Sequence, residues 1–270
     1  MEIQWPLVIF SLLAGCGGAT IAFIGVSEIL GVGKKARIPA AITAIALLIV
    51  GGCASVLHLG QPANIMAAAS NIFSFSGISL ELIALGVNVI VALVYLLLAR
   101  GGSEAAAKVV AIIGIATGLI LTFFVGNGYV MESQPSWNNV ALPLAYLGSG
   151  LACGATLFAA LVGKDEEGQT KMRNLVLGSI AIALVTFVAY AVTTSLTENT
   201  VVLFWVGAVV VGCVGSGACV WFSQKHPLAL WAAFVCTIVG GVCLRATMWL
   251  LGTGFLSFFA TASSRMLLGA

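Results

Sequence analysis

The sequence predicts an all-α, polytopic membrane protein: eight transmembrane helices in a bundle, with both termini on the outer (periplasmic or extracellular) side. Three observations predict the helices. Of 270 residues, 61% are hydrophobic and only 7% charged, at a mean hydropathy of +1.15; a soluble surface must carry far more charge. Apolar runs of about 20 residues recur, each long enough to cross a bilayer core. The runs are continuous rather than alternating, which favours helices over barrel strands.

Taken in order, the spans fall near 7–30, 39–59, 77–99, 107–127, 139–162, 174–194, 201–222 and 228–250, and residues 1–270 read as one transmembrane domain. The first follows Trp5-Pro6: tryptophan suits the lipid–water interface and proline the first turn of a helix. No basic leader precedes it, so the helix is expected to be retained. The second ends in Leu57-His58-Leu59-Gly60, and the third opens with Glu81. Gly114-xxx-Gly118 in the fourth and Gly150-xxx-Gly154 in the fifth predict close helix contacts. Glu81, Asn88 and Tyr95 recur every seven residues and share one face of the third helix, a pattern read first as polar contacts between helices and only second as a proton path. The eighth span carries Arg245.

Charge orients the bundle. The loops after spans 1, 3, 5 and 7 hold Lys34, Lys35, Arg37, Arg100, Lys108, Lys164, Lys171, Arg173 and Lys225, nine of the eleven basic residues. The loops after spans 2, 4 and 6 hold none. The positive-inside rule therefore puts the odd-numbered loops in the cytoplasm. Two longer outward connections, 60–76 and 128–138, are rich in aromatic residues and amides and poor in charge. A net charge of +2 gives no reason to expect nucleic acid as a partner. The seven cysteines all fall within spans, without a CxxC pair, and read as small packing residues rather than ligands of a metal or cluster.

Ionisable residues inside a membrane are costly and usually face a partner or a cavity. Glu28 ends the first span beside the basic loop, where a surface salt bridge accounts for it. His58, Glu81 and Arg245 differ: all three fall in the outer leaflet, with Arg245 roughly 25 Å along its outward-running helix. Oxidising a quinol requires two protons to leave as two electrons depart, and a neutral imidazole and a carboxylate are suitable acceptors. An arginine could hold the carboxylate ionised or bond a quinone oxygen. The alternative is a buried Glu81–Arg245 ion pair with His58 capping its own helix. A haem normally needs two histidines here, and His58 and His226 lie at opposite faces. Electrons therefore have to leave to a partner docked on the outer face.

The segments QWPLVIF, SVLHLGQP with Glu81 in SLELI, GYVMESQPSW and GGVCLRATMW together resemble the DmsC-type membrane anchor subunit of dimethyl sulfoxide reductase family molybdoenzymes. The chain departs from that pattern in carrying Asn64, Asn71 and Asn127 at positions matching basic residues. The resemblance implies a haem-free anchor in the cytoplasmic membrane of a bacterium that oxidises menaquinol near the outer face. It implies two partner subunits on that face, one bearing iron–sulfur clusters and a catalytic one bearing molybdopterin. On matching positions, His58 and Glu81 are expected to take the quinol protons, with Tyr129 and Arg245 also at the quinol. Trp137, beside Tyr129 in the loop, is expected to help wall the pocket. Rival readings are an NrfD-like polysulfide-reductase-type anchor, a small transporter, which would need broken helices in both halves, and a purely structural tether.

Overall fold

The computed structural model describes residues 2–57, 72–74, 76–163, 168–226 and 228–252. Among these, all regular structure is helical, and eight helices are long and apolar enough to cross a membrane. They are α1 (Trp5–Leu30), α2 (Arg37–Leu57), α3 (Gly77–Arg100), α4 (Glu104–Asn127), α5 (Ala141–Val162), α6 (Gln169–Thr193), α7 (Glu198–Phe222) and α8 (Ala229–Leu251). The expected spans match to within a few residues. The largest difference is at α6, which starts at Gln169 rather than 174, because the helix continues through the polar Gln-Thr-Lys-Met-Arg stretch beyond its apolar run.

Each start has a local reason. Pro6 lies in the first turn of α1, where its missing N–H costs nothing. Ser76 caps α3 by accepting a hydrogen bond from the backbone N–H of Ser79. Thr197 and Thr200 form a reciprocal capping box at the start of α7. Within α7 the segment Leu203–Gly215 is wound as a π-helix, which the apolar run gave no hint of. There Gly212 meets Gly240 of α8 so closely that a side chain on either would strike the other's backbone.

The helices form two groups of four, α1–α4 and α5–α8, joined mainly through α1 and α5. Burial shows which helices are central. In their most apolar stretches 83% of α1 and 78% of α5 is buried, against 22–39% for the other six, whose outward faces present residues such as Ile90, Leu97 and Val185. Small residues permit the close packing around α1. A Cβ on Gly118 would overlap the carbonyl of Gly18, and one on Gly150 would overlap the Thr122 methyl. Both glycine motifs thus make the expected helix contacts.

At the end of the bundle that carries the basic loops, Arg37 fastens α2 to α1. It donates to Glu28 at 2.7 Å, to the Ser27 hydroxyl at 2.9 Å and to the Ser27 carbonyl at 2.7 Å. Tyr95 of α3 donates to the other oxygen of Glu28 at 3.0 Å. The expected salt bridge of Glu28 exists, but it is not at the surface: the Arg37 and Glu28 side chains are 10% and 15% exposed. The close approach of α1, α2 and α3 encloses the pair. Asn88 acts as a contact between helices, donating to Ala84 of its own helix and to Thr117 of α4, each at 2.9 Å.

Candidate functional site

At the opposite end, the first turns of α1 and α3, the last turn of α4, the 128–140 connection, the start of α5 and the end of α8 converge. Glu81 stands just past the Ser76 cap of α3, half-buried. Its carboxylate lies directly against the backbone of Gly128, where any Cβ would overlap the carboxylate oxygen. Gly128 follows the end of α4, so that end places Glu81 and the next residue, Tyr129, side by side.

Tyr129 is buried at the centre of an aromatic cluster. Its ring centroid is 6.1 Å from Trp137, 5.7 Å from Tyr146 and 5.9 Å from Trp249, and Trp137 meets Trp249 edge-on at 5.0 Å. Edge-to-face pairs of this kind add specific attraction to apolar burial. Trp137 is fixed further by donating its indole N–H to the Met248 carbonyl at 2.8 Å, and Ser136 donates to the Leu251 carbonyl at 2.9 Å. These bonds tie the 128–140 connection to the end of α8. Burial pushes the Tyr129 hydroxyl well above its ordinary range; the Glu81 charge adds to this, and Arg245 and a hydrogen bond with Ser11 oppose it.

Arg245 lies behind this cluster and is completely buried. Its Nε donates to the Ser11 hydroxyl at 2.9 Å, one terminal nitrogen donates to Ser149 at 3.1 Å and to the Gly241 carbonyl at 3.0 Å, and the other donates to the Ser11 carbonyl at 3.1 Å. The guanidinium carbon is 4.4 Å from the centroid of the Tyr146 ring, a cation–π contact. No carboxylate lies within salt-bridge distance of it among the described residues. The ion pair with Glu81 weighed from the sequence is therefore not formed, because serines and carbonyls occupy the guanidinium's donors. Arg245 reaches the carboxylate only indirectly, through Tyr146 and Tyr129.

Of the residues expected at the site, Glu81, Tyr129, Trp137 and Arg245 come together at one end of the bundle. His58 lies outside the described residues. Tyr146, Trp249, Ser11, Ser149 and Gly128 were not anticipated. Trp249 follows Arg245 by one helical turn and could have been found on that ground; the serines and Gly128 carry no signal that sets them apart from the many others in these helices.

Eight apolar helices with a buried arginine, a carboxylate and an aromatic cluster gathered at one end define a multi-pass membrane protein with a polar site at that end. The chain belongs to the DMSO reductase anchor subunit (DmsC) family, whose model matches residues 1–202. It is thus a membrane anchor subunit of the DMSO reductase family. It is similar to the anaerobic dimethyl sulfoxide reductase chain YnfH of Escherichia coli (strain K12), at 30% identity over 164 residues, which cover 59% of this chain and 57% of that relative. Glu81, Tyr129, Trp137 and Tyr146 lie inside the family match, and Arg245 and Trp249 lie beyond it.

Proposed function

We propose that the chain, acting as one transmembrane unit over residues 1–270, oxidises menaquinol at the Glu81 end of the bundle and passes the electrons to an iron–sulfur subunit docked there. A molybdopterin-bearing catalytic subunit completes the complex, in the cytoplasmic membrane of a bacterium with both termini outside. The observation that carries this reading is the Glu81 carboxylate, set against Gly128 beside an aromatic wall, at the end of the bundle that lacks basic loops. A carboxylate held at an apolar, aromatic rim can take a proton from a hydroxyl of a bound hydroquinone and release it to nearby water. His58, which follows α2 in the sequence, is assigned the other proton.

The remaining residues position and tune. Tyr129 and Trp137 wall the space beside Glu81, and Tyr146 and Trp249 hold them in place. Arg245 supplies a positive potential from inside the protein, where a charge acts at low dielectric and is little screened.

The reading is tested by binding of a fluorescent quinol-analogue inhibitor to membranes holding the assembled complex, comparing wild type with His58→Arg and Glu81→Gln. Saturable binding that is lost in both variants, with the chain still inserted, supports the site. Equal binding in all three moves the quinol elsewhere.

A further inference from the structure

A second polar opening lies at the other end of the bundle, where the basic loops gather. Residues 32–33 beyond α1, the end of α5, the start of α6, the end of α7 and the start of α8 line a cleft that is open to the surface. Its sides are apolar, with Val162, Met172, Val176 and Val220 among them, and its polar groups are Arg173, Gln169, Gln224 and Ser223. No acidic side chain lines it among the described residues.

Arg173 is the unusual member. Its Nε is buried and has no hydrogen-bond partner, and no carboxylate pairs with it within 4 Å among the described residues. Its guanidinium carbon is 5.3 Å from the centroid of the Trp221 ring, and Trp221 is 62% exposed on the outer surface of the bundle. An arginine resting on a membrane-facing tryptophan at the end of a span is at headgroup depth. A guanidinium is the side-chain group that binds phosphate most readily, and Arg173 is only partly buried as a residue. The start of α6 adds to this, since its cap residue Gly168 has no side chain to occupy the first-turn N–H groups.

We infer that this cleft is a binding site for an anionic phospholipid, with the headgroup phosphate on Arg173 and the acyl chains along the apolar surface beside Trp221. The match is one of charge and depth: a cationic guanidinium at the interface, apolar walls below it, and further basic residues, Lys171 and Lys225, exposed at the same end. Because the cleft touches both the exit of α1 and all four helices of the second group, a bound lipid bridges the two halves. The inference does not depend on where quinol binds.

The test is binding of a fluorescently labelled phosphatidylglycerol to the intact complex, stripped of lipid in neutral detergent. Unlabelled phosphatidylglycerol, phosphatidylcholine and inorganic phosphate serve as competitors. The expected result is saturable binding, displaced at least tenfold better by phosphatidylglycerol than by phosphatidylcholine and not by phosphate. Arg173→Gln should weaken it about tenfold, and Trp221→Leu about threefold. Unchanged affinity in Arg173→Gln overturns the inference, as does equal competition by phosphatidylcholine. Displacement by phosphate alone makes the cleft a site for free anions and overturns the lipid assignment. Should Arg173→Gln fail to assemble, Arg173→Lys keeps the charge but loses the planar, multi-donor guanidinium. A partial loss of affinity then supports the inference, and no loss defeats it.

Discussion

The backbone of Gly128 touches the carboxylate of Glu81, and the contact leaves no room for a side chain. A single glycine at the end of α4 thereby fixes the position of an acid on α3. Gly128 has an ordinary right-handed backbone, φ −60° and ψ −19°, so other residues could adopt its conformation and only space forbids them. Gly128→Ala is therefore predicted to act through Glu81 alone. Quinol-dependent turnover of the assembled complex should fall about tenfold or more, since misplacing a reacting group by about 1 Å is enough for such a loss. Combining it with Glu81→Gln should add little to the effect of Glu81→Gln, and steady-state kinetics of the two single variants and the double variant would show this.

Tyr129 should not titrate in the working range. Its hydroxyl is pushed upward in the folded protein, so it stays protonated below its ordinary value of about 10. A group whose proton is held more tightly in the folded state contributes stability that is complete below the unfolded pKa and is lost as pH rises through the folded one. Tyr129→Phe is expected to leave the shape of the pH–rate profile between pH 5 and 9 unchanged. It should also reduce the loss of stability seen above about pH 10. Tyr129→Ala, which removes the ring joining Trp137, Tyr146 and Trp249, should lower thermal stability by about 3–5 kcal/mol. Thermal unfolding at several pH values measures both effects.

Arg245 carries a charge with no fixed counterion among the described residues, held by four hydrogen bonds and one aromatic face. A lysine cannot span Ser11 and Ser149 with one ammonium in the same geometry. Arg245→Lys should therefore assemble but slow quinol oxidation by about tenfold. Arg245→Ala should also destabilise the chain by about 3 kcal/mol, through the cavity and the acceptors left behind. Turnover per assembled complex and the unfolding midpoint separate the two effects.

The Arg37–Glu28–Tyr95 cluster is predicted to be structural. Glu28→Gln leaves the buried Arg37 without its carboxylate and should cost about 3 kcal/mol. Quinol turnover per folded molecule should not change, because the cluster is at the far end of the bundle from Glu81. A double-mutant cycle on Glu28 and Arg37 measures their coupling.

How far the sequence could be read follows from these residues. The helices were legible because a bilayer demands about 20 apolar residues and this chain has few others. Glu81 and Arg245 stood out because charge within a span is expensive, and their common depth followed from the alternation of helix direction. What depends on exact approach was not legible. Gly128 is one of 32 glycines, and only the packing of α4 against α3 singles it out. Ser11 and Ser149 resemble the other hydroxyls that bond back to their own helix, and only the position of the guanidinium distinguishes them. The absence of an ion pair between Glu81 and Arg245 was equally hidden, since shared depth says nothing about the rings that intervene. The π-helical segment of α7 includes the close Gly212–Gly240 contact, and hydropathy records neither.

The central claim is that Glu81 takes a proton from quinol at this end of the bundle. The most direct measurement is the rate at which a menaquinol analogue reduces the iron–sulfur clusters of the assembled complex, in wild type and Glu81→Gln, with subunit content verified in the same membranes. The account predicts reduction slowed by about 100-fold or more, the scale of a lost general base, with assembly unchanged. Reduction at the wild-type rate in a fully assembled Glu81→Gln complex would contradict it.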